Sequence, residues 1–299
     1  MTAPVPKILV ADDWREYRVI DSGNGRKLEQ VGPYRFDRPE PQALWRPRRE
    51  NEWAKADAVF AASGDEESEA GRWRFDRELP PTWPIAWDGM TFLSRPTPFR
   101  HLAFFPEHSV HWRYAADAIS GVKREQSAEV LNLFGYTGLA SLAAARAGAK
   151  VTHVDASKKA IGFARENQAA AGLDNTPIRW ICDDAHGFVK RELRRGKRYH
   201  GIILDPPKYG RGPNGETWKL EDTLSELIRD CAALLGDARP GQFMILTVYA
   251  VRLSFIALAQ AAQDATSFRG GAWEFGEMAL PHADDERVLP TAIYARWRT

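Results

Sequence analysis

The stretch EVLNLFGYTGLASLAAARAGAKVTHVD, residues 129–155, decides the fold. It opens with a short apolar run that stops at Gly135, which is typical of a strand buried in a parallel sheet. Gly135 and Gly138 permit a tight turn, Thr137 is a candidate helix N-cap, and leucine and alanine then recur at helical spacing. A second strand-like run ends in the carboxylate of Asp155. This order predicts a βαβ unit of the nucleotide-binding kind.

The parts of this unit also indicate its ligand. The turn brings backbone N–H groups and a helix N-terminus towards the ligand, which favours an anionic group. Asp155 can accept hydrogen bonds from a ribose diol. A dinucleotide site requires the spacing G-x-G-x-x-G, whereas only Gly135 and Gly138 stand in this turn, so a nicotinamide-dependent oxidoreductase is disfavoured. The unit predicts a nucleoside with an anionic group, and an ordinary glycine turn of an α/β protein is the alternative.

Composition limits the classes of protein to be considered. The chain has 299 residues, 44% of them hydrophobic, and 41 basic against 40 acidic side chains give a formal net charge of +1. Any site for a polyanion therefore has to be a local patch. Cys182 and Cys231 have neither metal-binding nor disulfide spacing, and no apolar segment approaches a membrane span of about 20 residues. We expect a cytoplasmic protein outside the membrane, either a monomer or a homodimer.

The first hundred residues differ from the rest in composition and in their pattern of turns. Short strand-like runs, a strong turn signal at Gly23-Asn24-Gly25 and many prolines predict a small β-rich domain. We place this domain at residues 1–103 and a larger α/β domain at residues 104–299. The tryptophans of the first region are expected mainly to pack its core, with stacking on bases as the alternative.

Polar side chains are dense where the two regions join. Glu107, His108 and Arg113 precede or begin a predicted helix and are candidates for binding a substrate. His108 and His111 are three residues apart, but no third ligand stands nearby at a usual spacing. We therefore predict no metal site.

Two later strands are predicted to end in acidic residues. Asp183 and Asp184 follow the run at residues 177–182, at the edge where open parallel sheets bind ligands. Either carboxylate could accept a hydrogen bond from an adenine amino group or cap the next helix.

The fourth strand, residues 199–204, is followed by Asp205-Pro206-Pro207-Lys208-Tyr209-Gly210. Two prolines stiffen this turn and remove two N–H donors, so we expect its carbonyls to face a pocket. Asp205 can hold a substrate N–H or take a proton, and Tyr209 can stack on a planar acceptor. With Pro206 these residues are the predicted catalytic group. Lys208, Tyr209 and Tyr249, the last of which follows the fifth strand, are predicted to bind the substrate.

A strongly basic stretch lies between these strands. It carries six positive charges in nine residues, on Lys190, Arg191, Arg194, Arg195, Lys197 and Arg198. Such a strip could contact phosphates, and a solvated helix face explains it equally well.

From about Phe104 onward the sequence resembles the class I S-adenosylmethionine-dependent methyltransferases. Four strings match motifs of that class, namely LNLFGYTG, VTHVDASKKAIGFARENQ, WICDDA and DPPKYG. Within the class it is most similar to the bacterial 23S rRNA large-subunit methyltransferase I and K group. The resemblance implies a Rossmann-like α/β fold with a seven-stranded sheet in the order 3-2-1-4-5-7-6, strand seven being antiparallel.

The resemblance also implies the cofactor, S-adenosylmethionine, and the residues that bind it. Phe134, Gly135, Tyr136 and Gly138 would wrap its methionine part. Asp155 would hold the ribose, and Asp183 or Asp184 the adenine. Asp205 would reach both the cofactor and the methyl acceptor, which Pro206 would also face.

Two features depart from that group. Its members that methylate cytosine C5 use a cysteine nucleophile at the end of strand four or five, where this chain has Pro206-Pro207 and Thr247-Val248-Tyr249. An N-terminal RNA-binding module of the PUA type is not evident. We predict methyl transfer to a nucleobase nitrogen, with ribosomal RNA as the expected substrate and no cysteine adduct. The alternatives are a protein side chain or a small molecule as acceptor, and a non-catalytic nucleotide-binding protein.

Overall fold

A computed structural model describes residues 5–62, 71–122, 127–237, 239–249, 253–265 and 270–299. Its strands are β1 (Lys7–Val10), β2 (Tyr17–Gly23), β3 (Arg26–Val31), β4 (Tyr34–Pro39), β5 (Ala58–Ala62), β6 (Gly71–Phe75), β7 (Trp83–Trp87), β8 (Met90–Ser94), β9 (Glu129–Leu133), β10 (Lys150–Asp155), β11 (Ile178–Cys182), β12 (Gly201–Leu204), β13 (Tyr209–Arg211), β14 (Thr217–Lys219), β15 (Phe243–Val248), β16 (Ala272–Pro281) and β17 (Val288–Arg298). Its α-helices are α1 (Glu50–Trp53), α2 (Ser109–Ser120), α3 (Leu139–Arg146), α4 (Lys158–Ala170), α5 (Ala185–Arg194), α6 (Leu220–Leu235) and α7 (Phe255–Ala265). None of the helices in these ranges combines the length and the apolar character needed to cross a membrane.

Two compact units share the chain. The large unit consists of Met1–Leu9, Val110–Met278 and Ala292–Thr299, and the small unit consists of Val10–Ser109 and Ala279–Thr291. The predicted division into residues 1–103 and 104–299 does not include two exchanged segments. An N-terminal segment, Met1–Leu9, joins the large unit, and a C-terminal segment, Ala279–Thr291, joins the small unit. That division stays a prediction about domains.

The large unit is built on a sheet with the order β11-β10-β9-β12-β15-β17-β16-β1. Its first seven strands confirm the order 3-2-1-4-5-7-6, and β17 pairs antiparallel with β15 as expected. The expected number of strands is one too low, because β1 adds an eighth strand beside β16. Gly276 permits this pairing, since a Cβ atom there would lie 1.9 Å from the Lys7 carbonyl oxygen.

Helices cover both faces of the parallel strands. Val130 and Ile203 pack with residues of α2 and α3, whereas Leu131, Leu133 and Leu204 pack with residues of α5 and α6. Successive side chains along a strand point to opposite faces, so the apolar side chains of β9 serve two cores. This sandwich fixes the strands whose carboxyl ends carry the candidate site.

The small unit is β-rich, as the sequence predicts. Strands β2 to β6 form one sheet in chain order, and β7 pairs with β8. Asn24 and Gly25 have φ angles of 52° and 74° in the tight turn between β2 and β3. Trp83 is 3% exposed and stacks on Phe36, in line with the expected role of the tryptophans in core packing.

An ion pair holds the returning segment of the small unit. Arg287 donates to the Asp21 carboxylate over 2.8 Å, and that carboxylate is fully buried and also accepts from Trp53. His282 and Ser22 lie 2.8 Å apart through Nε2 and Oγ. These contacts explain why residues 279–291 belong to this unit and not to the large one.

Candidate active site

The strand register brings the predicted residues of the large unit to one edge of its sheet. Leu133 of β9 pairs with Val154 of β10 and with Leu204 of β12, and the end of β10 pairs with Cys182 of β11. All four strands are parallel, so their carboxyl ends share this edge. The residues that end or directly follow these strands are Phe134, Asp155, Asp183 and Asp205.

The loop after β9 adopts an unusual backbone. Phe134 and Tyr136 have φ angles of 55° and 48°, and Gly138 has a φ of 87°. Left-handed φ values at residues other than glycine cost free energy and are concentrated at functional sites. Thr137 was expected to cap α3, and this is wrong, because Gly138 occupies the N-cap position without a side-chain hydrogen bond. Thr137 is instead buried within the loop.

Three buried polar side chains lie beneath this loop. Asn132 donates to Ser141 Oγ over 2.9 Å, and Ser141 Oγ lies 3.0 Å from His153 Nδ1. Burial lowers the pKa of His153 to about 3, so the imidazole is neutral at pH 7 and shares a hydrogen bond with the Ser141 hydroxyl through Nδ1. A Cβ atom at Gly135 would lie 2.3 Å from His153 Cε1. The loop therefore rests directly on the imidazole ring.

Sequence reasoning missed this support, although a signal was present. Asn132 and His153 are polar residues inside otherwise apolar strands, and the register places them opposite each other. Helix α4 adds a second support, since buried Asn167 donates to the Thr137 carbonyl over 2.9 Å. A Cβ atom at Gly138 would lie 2.8 Å from the Ala164 methyl carbon, so α4 also requires a glycine there.

Asp155 connects the loop to the end of β10. One carboxylate oxygen accepts from the Tyr136 N–H over 2.8 Å and the other from the Ser157 N–H over 2.7 Å. Burial raises the pKa of Asp155, and these two backbone donors partly offset that rise. Each oxygen keeps a further acceptor position, which fits the hydroxyl groups of a ribose.

Asp183 and Asp184 differ in their surroundings. Asp184 is the N-cap of α5 and accepts from the Gly187 N–H over 2.6 Å, so the helix-capping alternative is correct for this residue. Asp183 forms an ion pair with Arg191, and its backbone N–H donates to the Asp155 carbonyl. The position of Asp183 next to Asp155 makes it the better candidate for adenine recognition.

The turn after β12 forms the other half of the edge. Asp205 is half-buried, and Pro206 is buried. The carbonyls of this turn were expected to face a pocket, and for two of them this is wrong. The Pro207 carbonyl accepts from Trp218 Nε1 over 2.6 Å, and the Lys208 carbonyl accepts from the Leu220 N–H over 3.0 Å. Both are used to hold the hairpin formed by β13 and β14.

Comparison with known proteins decides the family. No protein-family model matches the sequence. The ribosomal RNA large subunit methyltransferase K/L of Shewanella frigidimarina is 31% identical over 150 residues, which are 50% of this chain and 20% of that protein. The ribosomal RNA large subunit methyltransferase I of Shewanella denitrificans is 41% identical over 81 residues, 27% of this chain and 20% of the relative. The aligned parts thus span only a fifth of these two curated relatives.

A solved structure matches the chain over its whole length. The S-adenosylmethionine-dependent methyltransferase from Agrobacterium tumefaciens is 45% identical, with a TM-score of 0.91 and coverage of 100% of this chain and 96% of that one. The present chain belongs to the S-adenosylmethionine-dependent methyltransferases. The cofactor of this enzyme is therefore S-adenosylmethionine. The strained loop and its helix N-terminus offer N–H donors, and the Asp155 carboxylate offers acceptors. Together these groups fit a nucleoside with a charged amino-acid part.

The remaining predicted residues of the methyltransferase lie in several places. Tyr209 is 52% exposed, Tyr249 is 37% exposed directly after β15, and Lys208 is exposed. Arg113 is exposed on α2 of the large unit. Glu107 and His108 belong to the small unit and are buried there. The roles assigned to these residues stay predictions.

The basic strip of the methyltransferase is largely neutralised by its neighbours. Four of its six cations form ion pairs, namely Lys190 with Glu226, Arg191 with Asp183, Arg195 with Glu192, and Lys197 with Glu129. A cation that already has an acidic partner gains less from a phosphate than an unpaired one. The arrangement favours the solvated helix face over the phosphate-binding strip.

One group of possible metal ligands lies away from the sheet edge. Within the described residues, ligand atoms of His186, Glu226 and Asp230 lie within 4.8 Å of one another, on α5 and α6. His186 Nε2 is 3.0 Å from the Asp230 carboxylate, and Lys190 pairs with Glu226. These groups satisfy one another, and the prediction that the enzyme uses no metal stays a prediction.

Proposed function

We propose that this methyltransferase transfers a methyl group to a nucleobase nitrogen in RNA, with ribosomal RNA in the cytoplasm as its substrate and without a cysteine adduct. The observation that carries the proposal is the position of Asp205 and Pro206. They follow Leu204, which pairs with Leu133 immediately before the cofactor loop. An acceptor held by Asp205 therefore lies beside the methyl donor.

The relatives support RNA as the substrate class. Both curated relatives are named for the RNA of the large ribosomal subunit, and the first of them aligns with half of this chain. Tyr209, which is exposed and lies four residues after Asp205, suits a flat base, because every base offers a π-face for stacking.

The cysteines support nitrogen as the acceptor atom. Cys182 ends β11, which is separated from β12 by β10 and β9. Three strand spacings amount to about 14 Å, too far for covalent attack on a base held at Asp205. Cys231 is fully buried in α6, and burial raises the pKa of its thiol. A nitrogen acceptor needs no such nucleophile, because its own lone pair can attack the methyl group.

The chemistry asks mainly for positioning. Bound S-adenosylmethionine supplies an activated methyl group whose bond to sulfur breaks, the electron pair remaining on sulfur, as the bond to nitrogen forms. Asp205 orients the acceptor by accepting a hydrogen bond from its N–H group. The same carboxylate can take the proton that the methylated nitrogen loses. The neighbouring Pro206 carbonyl offers a second acceptor for an amino group, and Tyr209 restricts the tilt of the base. Alignment of this kind lowers the barrier without further catalytic groups.

Substitution of Asp205 tests the proposal. Asp205→Ala should reduce methyl transfer to ribosomal RNA by roughly 100-fold or more, because the acceptor loses its orienting and proton-accepting group. Affinity for S-adenosylmethionine, measured by calorimetry, should stay within a few-fold of wild type. An equal loss of both properties would show that Asp205 serves the cofactor instead of the acceptor.

The choice of substrate needs a separate measurement. Radiolabelled methyl incorporation should be compared between ribosomal RNA and total protein, both from cells that lack the gene. Incorporation into protein alone would favour the second candidate, a protein side chain. The formal net charge of only +1 is the observation that keeps this candidate in view.

A further inference from the structure

A two-stranded hairpin follows the Asp205 turn directly. In this hairpin Tyr209 of β13 pairs with Lys219 of β14, and Arg211 pairs with Thr217. Directly opposed residues share a face, so these four side chains lie on one side of the hairpin. All four are exposed. Trp218 points to the opposite side and is only 5% exposed.

Trp218 fixes the hairpin to both halves of the active site. The centroid of its ring lies 4.9 Å from the ring centroid of Phe134 in the cofactor loop. Its Nε1 donates to the Pro207 carbonyl over 2.6 Å, two residues after Asp205. The exposed face is therefore held in a defined position beside the acceptor side, and all of these residues belong to the large unit.

The charges on this face differ from those of the basic helix. Lys208, Arg211 and Lys219 are exposed, and the described parts of the chain provide no ion pair to any of them. The acid in the hairpin loop, Glu216, accepts hydrogen bonds from the backbone and side chain of Asn214. An exposed aromatic ring among unpaired cations is the combination that binds single-stranded nucleic acid.

We infer that the exposed face of the hairpin holds single-stranded RNA next to the base that is methylated. Tyr209 stacks on the base that is methylated, while Arg211 and Lys219 contact the neighbouring phosphates. The inference rests on the proposed function, because it specifies the form of RNA and the surface that receives it. A duplex is excluded by its paired bases, whose faces are not available to Tyr209.

The phosphate contacts are tested with a charge-matched pair of variants of the full chain. Arg211→Gln/Lys219→Gln removes two unpaired cations, and Lys190→Gln/Lys197→Gln removes two paired ones. Binding of a labelled single-stranded RNA oligonucleotide should weaken about tenfold at about 0.15 M salt in the hairpin variant, since two counterion-releasing contacts are lost. The slope of log K against log salt should become less steep by about 1.4, and the helix variant should stay within about twofold of wild type.

The stacking contact has its own test. Tyr209→Ala should weaken binding of the same oligonucleotide by about tenfold without changing the salt slope, whereas Tyr209→Phe retains the ring and the affinity. A duplex of the same sequence should bind more weakly than the single strand in the wild type. Unchanged affinity for S-adenosylmethionine in every variant shows that the large unit is folded.

The outcomes separate this inference from the function on which it rests. If the wild type methylates RNA but Arg211→Gln/Lys219→Gln binds and methylates RNA normally, the inference is wrong and the proposed function stands. Equal losses in the hairpin and helix variants, or tighter binding of the duplex, also overturn it. If the wild type neither binds nor methylates RNA, both proposals fail.

Discussion

The donor side and the acceptor side of the sheet edge are held in different ways. The donor side, residues 134–138 with Asp155, rests on buried polar groups such as His153 and Asn167, whose hydrogen bonds run to the loop or to each other. The acceptor side, residues 205–219, is held by the buried indole of Trp218 and by the Lys208 carbonyl, which accepts from the Leu220 N–H, and one face of its hairpin is exposed to solvent.

This difference separates two tasks of the enzyme. Every reaction cycle uses the same cofactor, so the donor loop gains from a rigid support that fixes its strained backbone. In the proposed function the acceptor is a base within RNA, and exposed cations and an aromatic ring suit its recognition. Substitutions on the donor side should therefore change cofactor affinity, and those on the acceptor side should change RNA binding or methyl transfer but not cofactor affinity.

Gly135→Ala should have the largest effect among the predictions that probe the donor side. The new Cβ atom would lie 2.3 Å from His153 Cε1, and the imidazole cannot withdraw because it is buried and hydrogen-bonded to Ser141. The loop has to shift, so we expect affinity for S-adenosylmethionine to fall roughly 100-fold, a loss of about 2.7 kcal/mol. Isothermal calorimetry measures this loss.

A matched glycine provides the control. Gly162 lies in α4, and a Cβ atom there would have open space around it. Gly162→Ala should leave cofactor affinity unchanged and slightly stabilise the helix. Cofactor affinity that survives Gly135→Ala would mean that the loop does not depend on its contact with His153.

The pH dependence of stability tests the same support. Folding lowers the pKa of His153 to about 3, so below the ordinary pKa of histidine the unfolded chain binds a proton that the folded chain does not. Stability is therefore lost as the pH falls. Between about pH 7 and about pH 5 this one group should cost the large unit about 2 kcal/mol.

Hydrogen exchange of the β9 and β10 amides measures the opening free energy of this region. The difference between the two pH values should be about 2 kcal/mol smaller in His153→Gln, which cannot titrate in this range. Other histidines contribute equally to both proteins, so the comparison isolates His153. The same pH dependence in wild type and variant would contradict a buried neutral imidazole.

More of the donor side than of the acceptor side could be predicted from the sequence, because the features of the donor side lie close together in the chain. The strand, glycine turn, helix and terminal Asp155 occupy one contiguous stretch, so period and spacing predicted the βαβ unit and its loop, whereas the strand order was implied by the family resemblance. Hairpin strands of three residues are too short to give a period, and the hairpin was missed. The pairing of β1 with the large sheet was missed as well, because it depends on Gly276, far away in the chain.

Side-chain roles were harder to predict than positions. The acidic pair after β11 left two interpretations open, and only the structure shows that Asp184 caps α5 while Asp183 contacts Arg191. His153 looked like one residue of an apolar strand until the register placed it opposite Asn132 and below Gly135. Such assignments depend on atoms that spacing alone does not locate.

Trp218→Phe should give the smallest effect and the sharpest test of the separation between the two sides. Phenylalanine keeps a ring against Phe134 but loses the donor to the Pro207 carbonyl. Pro207 is exposed, so water can replace part of that hydrogen bond, and we expect a loss of about 1 kcal/mol. Trp218 is a positioning residue, and the methylation rate at saturating cofactor should fall about fivefold while cofactor affinity stays unchanged.

Trp297→Phe is the matched control for that variant. Trp297 is also buried and also donates to a backbone carbonyl, that of Gly270, but it lies on β17 rather than in the hairpin. Its substitution should lower stability by a similar amount without slowing methylation. If both variants slow the reaction equally, the effect is one of general stability. If Trp218→Phe weakens cofactor binding as much as methyl transfer, the indole couples the two sides so strongly that they cannot be treated as separate.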